Sequence, residues 1–433
     1  MNWKQLYESR SVDASEAIKV IKDGDHVVFS DGAAIPQHIA CTLAQHRNEY
    51  NNVYIYHMLA LGNKDYLLPE CYGHFRHQTN FVCCNSRQAI LDHQADYAPL
   101  YFKDVPEMLG NAFPVDVAVI SLSHPNEEGY CSFGVSCDYS VAAARKAKIV
   151  IAEINENTPF TYGPENRIHV SEVDYFVHCC YELPAYPLPP IGEVEKAIGR
   201  HCATLIHDGA TLQLGIGAIP EALLLSLTDK HDLGIHTEMF SDGVVDLMKA
   251  GVITNARKTL HQGKTISTFV AGTRKLYDYI DNNPDVELYP VDHVNDPWVI
   301  GKNDNMVSVN SCIELDLTGQ VTSEMIGEKQ YSGPGGQVDF VRGAMLSKGG
   351  VSIIAVPSTA KHGSLSRIVP YLKPGAAVTT SRNDVDYVVT EYGVAKLRGM
   401  NLLQRAENLI AVAHPSFREE LKSECLRRYD FFN

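Results

Sequence analysis

Glu238 is the residue of this chain best placed for covalent chemistry. It follows the short strand-like run Gly234-Ile235-His236 and precedes the turn Ser241-Asp242-Gly243. That puts a carboxylate at the carboxyl end of a strand, where open α/β sheets bind their ligands. A carboxylate so placed can serve as a nucleophile. An ordinary surface or salt-bridged glutamate is the competing reading.

An internal repeat weighs against that competitor. Residues 21–36, IKDGDHVVFSDGAAIP, and residues 206–220, IHDGATLQLGIGAIP, both run from Asp-Gly through an apolar strand to a small-residue turn closed by Ile-Pro. In the same order FVCCNSR (81–87) answers FVAGTR (269–274), and VSEVDYFV (170–177) answers SRNDVDYVV (381–389). A period near 200 residues indicates two homologous α/β domains, not a solenoid. Aligning Val53 with Leu233 and Ile55 with Ile235 sets Met58 opposite Glu238. Only the second copy carries the acid.

Three glycine- or lysine-bearing loops are candidates to surround it. Gly215-Ile216-Gly217-Ala218-Ile219-Pro220 links a strand to the helical EALLLSLT, a turn whose backbone N–H groups can approach a phosphate or an oxyanion. It is not a dinucleotide fingerprint, because Pro220 sits where the third glycine belongs, and a bare Gly-x-Gly fits a ligand-free tight turn equally well. SGPGGQVDFVRGA (332–344) packs three glycines into five positions ahead of a helix-like segment, a demanding arrangement unless the backbone turns sharply or comes close to something. Lys361, in PSTAKHGSLSR (357–367), follows a buried strand and is a candidate phosphate partner, although a solvated loop lysine is the simpler reading. Gly263-Lys264-Thr265 is no phosphate loop, since Lys258 replaces its first glycine. No Gly-x-Ser-x-Gly or His-Glu-x-x-His occurs, so serine hydrolase and zinc protease readings lack support.

The elements that must position these residues alternate. Short apolar runs at 26–29, 53–56, 117–122, 148–154 and 174–179 are separated by helical stretches, and the pattern repeats at 211–216, 307–316, 351–357 and 386–391. This predicts α/β architecture: two homologous open domains, each a mostly parallel sheet covered by helices. Helices are expected at 15–22, 193–205, 402–412 and 416–428, the first and last opened by capping boxes, Asp13 with Glu16 and Ser416 with Glu419. ELPAYPLPPI (182–191), with four prolines, reads as a stiff linker, dividing the chain into domains 1–185 and 186–433.

Composition narrows the partners. A net charge of −15 argues against nucleic acid or an anionic membrane surface, yet leaves room for an anionic small ligand held by local lysines and N–H groups. The 11 cysteines, irregularly spaced, read as free thiols in a reducing compartment. No signal peptide or membrane span is expected, so the protein is expected to be cytoplasmic.

The segments LGIGAIPEALL, GIHTEMFSDG, SGPGGQVDFVRGA, SRNDVDYVVTEYGVAKLRG and RAENLIAVAHPSFREEL together resemble the acetyl-CoA hydrolase/transferase family of family I CoA-transferases, over essentially the whole chain. The likeness is greatest to members acting on 4-hydroxybutyrate and butyryl-CoA. The resemblance implies that Glu238 forms a glutamyl-CoA thioester, and that Gly215, Ile216, Gly217, Ala218 and Ile219, with Ile313, Gly336 and Lys361, bind coenzyme A. It implies ping-pong transfer of CoA between a short-chain acyl-CoA and a carboxylate, with CoA as substrate, no permanently bound cofactor and no metal. A homodimer or higher homo-oligomer is expected. The first domain is expected to furnish the acyl-pocket wall. An acyl-CoA hydrolase using the same glutamate, or a non-catalytic CoA-binding protein, is the alternative.

Overall fold

The computed structural model describes residues 2–84 and 86–429 of the 433-residue chain. It separates into two compact units. Unit 1 comprises Met1–Pro187, Met239–Asp242 and Lys264–Val294; unit 2 comprises Leu188–Glu238, Gly243–Gly263 and Asn295–Asn433. The division therefore differs from a single cut at 185/186: two segments of the second half of the chain belong to the first unit.

In unit 1, β1 (His26–Phe29), β2 (Val53–Tyr56), β3 (Phe75–Thr79), β4 (Ala95–Tyr97), β5 (Val117–Leu122), β6 (Ile149–Asn155) and β7 (Tyr175–Cys179) form one sheet in the order β4-β3-β2-β1-β5-β6-β7. Every neighbouring pair is parallel. Parallel strands need crossover connections that cover both faces, so β5 is buried at each of its six positions and reads as an apolar run interrupted by Ser121 alone. Val27, Phe29, Ile55, Val117, Val119 and Ile151 meet in the core.

In unit 2, β8 (Thr211–Gln213), β9 (Gly234–Ile235), β10 (Met306–Asn310), β11 (Val351–Ala355), β12 (Tyr387–Thr390) and β13 (Gly393–Lys396) are ordered β9-β8-β10-β11-β12-β13, parallel except for the closing β12–β13 hairpin. The order β9-β8-β10-β11-β12 repeats β2-β1-β5-β6-β7 of unit 1. The register repeats too. Val27 pairs with Ile55 and Val117, while Leu212 pairs with Ile235 and Val307. The sequence repeat aligns Val27 with Leu212 and Ile55 with Ile235, so two independent observations set Met58 and Glu238 at equivalent strand ends.

Several boundaries differ from the sequence reading. A helix at Trp3–Arg10, unmarked by any apolar period, is opened by a capping box between Asn2 and Gln5. The expected 15–22 helix is Ala14–Ala17 followed by a 3-10 turn at Ile18–Val20, and Asp13 makes no side-chain cap bond. At the other end the His414 ring, not Ser416, caps the turn before the helix Arg418–Tyr429. The run 307–316 is two strands, β10 and Glu314–Asp316, the second belonging to a separate small sheet. Residues 182–191 carry neither helix nor strand, and all 11 cysteines are free. Among the described residues no helix is long and apolar enough to cross a membrane.

Burial in unit 1 has a consequence for pH. His77 of β3 is 2% exposed and stacks at 4.1 Å on His57, which is fully buried. Desolvation pushes His77 down to about 4, against a smaller opposing effect of its hydrogen bond to the Ile55 carbonyl. The unfolded chain therefore takes up this proton first as pH falls. The contribution to stability is complete above about 6.5 and is lost toward about 4, a span worth roughly 3 kcal/mol. Urea midpoints should fall across that window, and a His77→Phe variant should show a flatter profile; a variant profile as steep as the parent's would count against this account.

Candidate active site

Glu238 lies three residues beyond the end of β9 and is half-buried. Its approach is pinned by Thr237, whose Oγ1 donates to the Leu214 carbonyl at 2.9 Å and accepts from the Leu214 N–H at 3.2 Å. Leu214 is the first residue past β8, so this clasp ties the turn Gly215–Ile219 to the segment bearing the acid. A Cβ added at Gly215 or Gly217 would meet nothing within 4 Å. Gly217, at φ +118°, adopts a backbone that side chains resist and caps the helix Ala218–Leu225. The glycine turn thus faces open space, as a backbone surface for ligand approach must.

The other side of Glu238 is crowded. Its Oε2 accepts from Asn295 Nδ2 at 2.8 Å, and Asn295 is itself fully buried. A Cβ on Gly336 would stand 2.1 Å from that Oε2 and 2.3 Å from the Asn295 nitrogen, so only hydrogen fits there. Gly336 also caps the ten-residue helix Gln337–Leu346. The SGPGG cluster is therefore explained by close approach: it brings a helix N-terminus to the carboxylate, where the aligned peptide dipoles favour negative charge. The same donors would stabilise an oxyanion forming beside Glu238.

Ile313 and Lys361 share a separate pocket of about 560 Å³ in unit 2, lined also by Tyr331, Arg367 and Lys373. Neither Glu238, Gly336 nor the 215–219 turn contributes to its wall. Arg367 donates to the carbonyls of Ile313 (2.9 Å) and Cys312 (3.2 Å), and Lys373 pairs with Glu314 at 3.4 Å. Lys361 is exposed at the tip of a hairpin between strands Thr359–Ala360 and Leu365–Ser366. Lys361, His362 and Gly363 all have positive φ, +48°, +55° and +87°. Two successive non-glycine residues in that region store strain of order 1 kcal/mol each, a feature that gathers at ligand sites. Three cationic side chains around one cavity suit a phosphorylated ligand despite the acidic chain.

Sequence reasoning placed Glu238 and the glycines but passed over Asn295, Arg367 and Lys373. Asn295 lies 57 residues from Glu238 in no motif, so no local signal could have found it.

Residues 1–179 match the acetyl-CoA hydrolase/transferase N-terminal domain and residues 272–425 its C-terminal domain. The chain is 54% identical to the 4-hydroxybutyrate coenzyme A transferase of Clostridium kluyveri, over 99% of this chain and 100% of that protein. It is 38% identical to the butyryl-CoA:acetate CoA-transferase of Anaerostipes caccae, over 97% of both. The crystal structure of 4-hydroxybutyrate CoA-transferase from Porphyromonas gingivalis superposes with a TM-score of 0.85 at 47% identity, covering 99% of this chain and 100% of that one. The chain belongs to the acetyl-CoA hydrolase/transferase family.

The fit at Gly336 is directly testable. Gly336→Ala should displace Glu238 or Asn295 and lower kcat by roughly 100-fold or more, at a shift in melting temperature too small to explain it. Normal turnover in the folded variant would show that the close approach is not needed.

Proposed function

We propose that this chain moves CoA between a short-chain acyl-CoA and a free carboxylate such as 4-hydroxybutyrate or butyrate, with Glu238 as the covalent carrier. The observation that carries the reading is the arrangement of Glu238 with Asn295 and the helix N-terminus at Gly336. Full-length likeness to CoA-transferases, at 54% and 38% identity, supports the same class.

A Glu238 oxygen attacks the thioester carbonyl; the carbon–sulfur bond breaks, leaving an acyl-glutamyl anhydride and a CoA thiolate. The thiolate attacks the glutamyl carbonyl and expels the first acid, leaving glutamyl-CoA. A second carboxylate then attacks this thioester and the sequence runs in reverse. Each tetrahedral intermediate bears an oxyanion, for which the Asn295 amide and the backbone N–H groups at the Gly336 helix start are donors at hand. The pocket of Ile313 and Lys361 takes the phosphorylated portion of CoA, which enters as a substrate, and the half-buried turn at Gly215–Ile219 lines its path. The scheme runs in the cytoplasm, where acyl-CoA pools lie.

Glu238→Ala should lower transfer by several orders of magnitude in a folded protein. Wild-type protein incubated with acyl-CoA and no acceptor should gain the mass of CoA less one water, lost again on adding carboxylate. Intersecting double-reciprocal lines, or no adduct, would refute the covalent route. Lys361→Ala should raise KM for acyl-CoA about tenfold with kcat largely kept; a change confined to kcat would move Lys361 out of the CoA site.

A further inference from the structure

The segment bearing Glu238 meets the Gly215–Ile219 turn and its helix at two places, one on each side of the acid. In front, Thr237 is bonded through Oγ1 to the backbone of Leu214, the residue before the turn. Behind, Glu221, just past the turn, lies against Gly243, beyond the acid. A Cβ added at Gly243 would stand 2.3 Å from Glu221 Oε2 and 2.8 Å from Leu224 Cδ1. Gly243 has no positive φ, so its missing side chain answers to this close approach and not to a turn. Glu221 is 4% exposed, on the first turn of the helix Ala218–Leu225.

A buried carboxylate is costly unless something compensates its charge. Gly243 is in the first turn of the helix Asp242–Lys249, whose leading peptide N–H groups carry partial positive charge, so the compensation stands where Glu221 Oε2 reaches. Unit 1 repeats the device with a neutral side chain. Gln37 holds the place of Glu221 after the shared Ile-Pro, and a Cβ on Gly62, in the loop after β2, would lie 2.6 Å from Gln37 Oε1. That oxygen accepts the Asn63 N–H at 3.2 Å. The loop at Gly62 leads to a 3-10 turn, Asp65–Leu67, where Gly243 opens a two-turn helix. An amide suffices against a loop and a carboxylate suits a helix start, so the difference between Gln37 and Glu221 follows what each faces.

We infer that Glu221 is a positioning residue for the transfer reaction. With Thr237 it clasps the segment bearing Glu238 to both ends of the Gly215–Ile219 turn, and so fixes the separation between the nucleophile and whatever the turn holds. The kinetic consequence rests on the transfer reading above, whereas the clasp is a matter of geometry. One clasp is a pivot; two, placed before and after the acid, remove the rotation about it. Reaction rate depends steeply on such alignment, a misplacement near 1 Å being worth about 100-fold, while affinity for the substrate depends on it weakly.

Glu221→Ala should therefore lower kcat roughly tenfold or more, and slow single-turnover formation of the CoA adduct in proportion, with KM for acyl-CoA changed less than about threefold. Glu221→Gln, which restores the side chain that unit 1 uses, should recover most of that loss. Parent-like kcat and adduct formation in a folded Glu221→Ala protein would overturn the proposal. So would a change confined to KM, or a Gln variant as slow as the Ala variant. Gly243→Ala is the second route where Glu221→Ala does not fold, since the backbone there accepts alanine and the new Cβ pushes the carboxylate aside. The same fall in kcat is expected, and an unchanged kcat overturns the clasp. In a crystal structure of either variant Glu238 should stand displaced from its wild-type position. Finding Thr237, Glu238 and the turn unmoved would sink the clasp independently of the kinetics. Absence of the adduct from the wild-type protein would remove the transfer reading and leave that crystallographic comparison to decide.

Discussion

The geometry around Glu238 rests on one steric fact: a glutamate oxygen lies where the Cβ of residue 336 would be. Removing that side chain lets a helix N-terminus and the Asn295 amide converge on a single carboxylate oxygen. The arrangement suits a nucleophile that must be ionised yet attack an uncharged carbonyl. One oxygen is held by the Asn295 amide, which fixes the direction of the carboxylate. The neighbouring Thr237 clasp then orients the approach from the other side through the backbone of Leu214.

The duplicated fold explains how this site could arise without unsettling the sheet. Both units build the same five-strand order with the same register, so their strand ends are interchangeable frames. In unit 1 the position of Glu238 is Met58, 3% exposed, and the position of Thr237 is His57. A buried thioether needs no donors, and the strand end there is filled by aromatic rings. The carboxylate in unit 2 needs donors, and they come from residues 295 and 336, far along the chain. Distant loops meet the carboxylate at a strand end that both units build alike.

That contrast sets what the sequence could reveal. Strands whose burial is complete, such as Val117–Leu122, announce themselves as apolar runs, and the repeat exposed the position of Glu238 before any coordinates. SGPGG signalled that something came close to the backbone but not what. Asn295 left no trace, because one amide in a loop has no period, cap or motif; only tertiary placement gives it a task. The helix at Trp3–Arg10 was missed for a related reason: none of its residues is buried, so no amphipathic stripe marks it. The over-long strand at 307–316 erred differently. Its apolar pattern continues past Asn310, yet the chain leaves the sheet at Ser311 and re-enters another at Glu314.

That break is where the pocket of Ile313 and Lys361 begins. Ending β10 at Asn310 turns Ile313 out of the central sheet and presents its carbonyl, with that of Cys312, to Arg367. The guanidinium thereby joins the departing strand to the hairpin whose tip carries Lys361. Two backbone carbonyls satisfy part of Arg367 without neutralising it, so its charge still contributes to the pocket, whereas Lys373 is partly offset by Glu314. Three cationic side chains thus share this wall with Glu314 and Glu420, in a chain of net charge −15. The strained Lys361-His362 pair serves the same end, because a left-handed tip holds the lysine out from its hairpin, and the surrounding strand pairs keep it there.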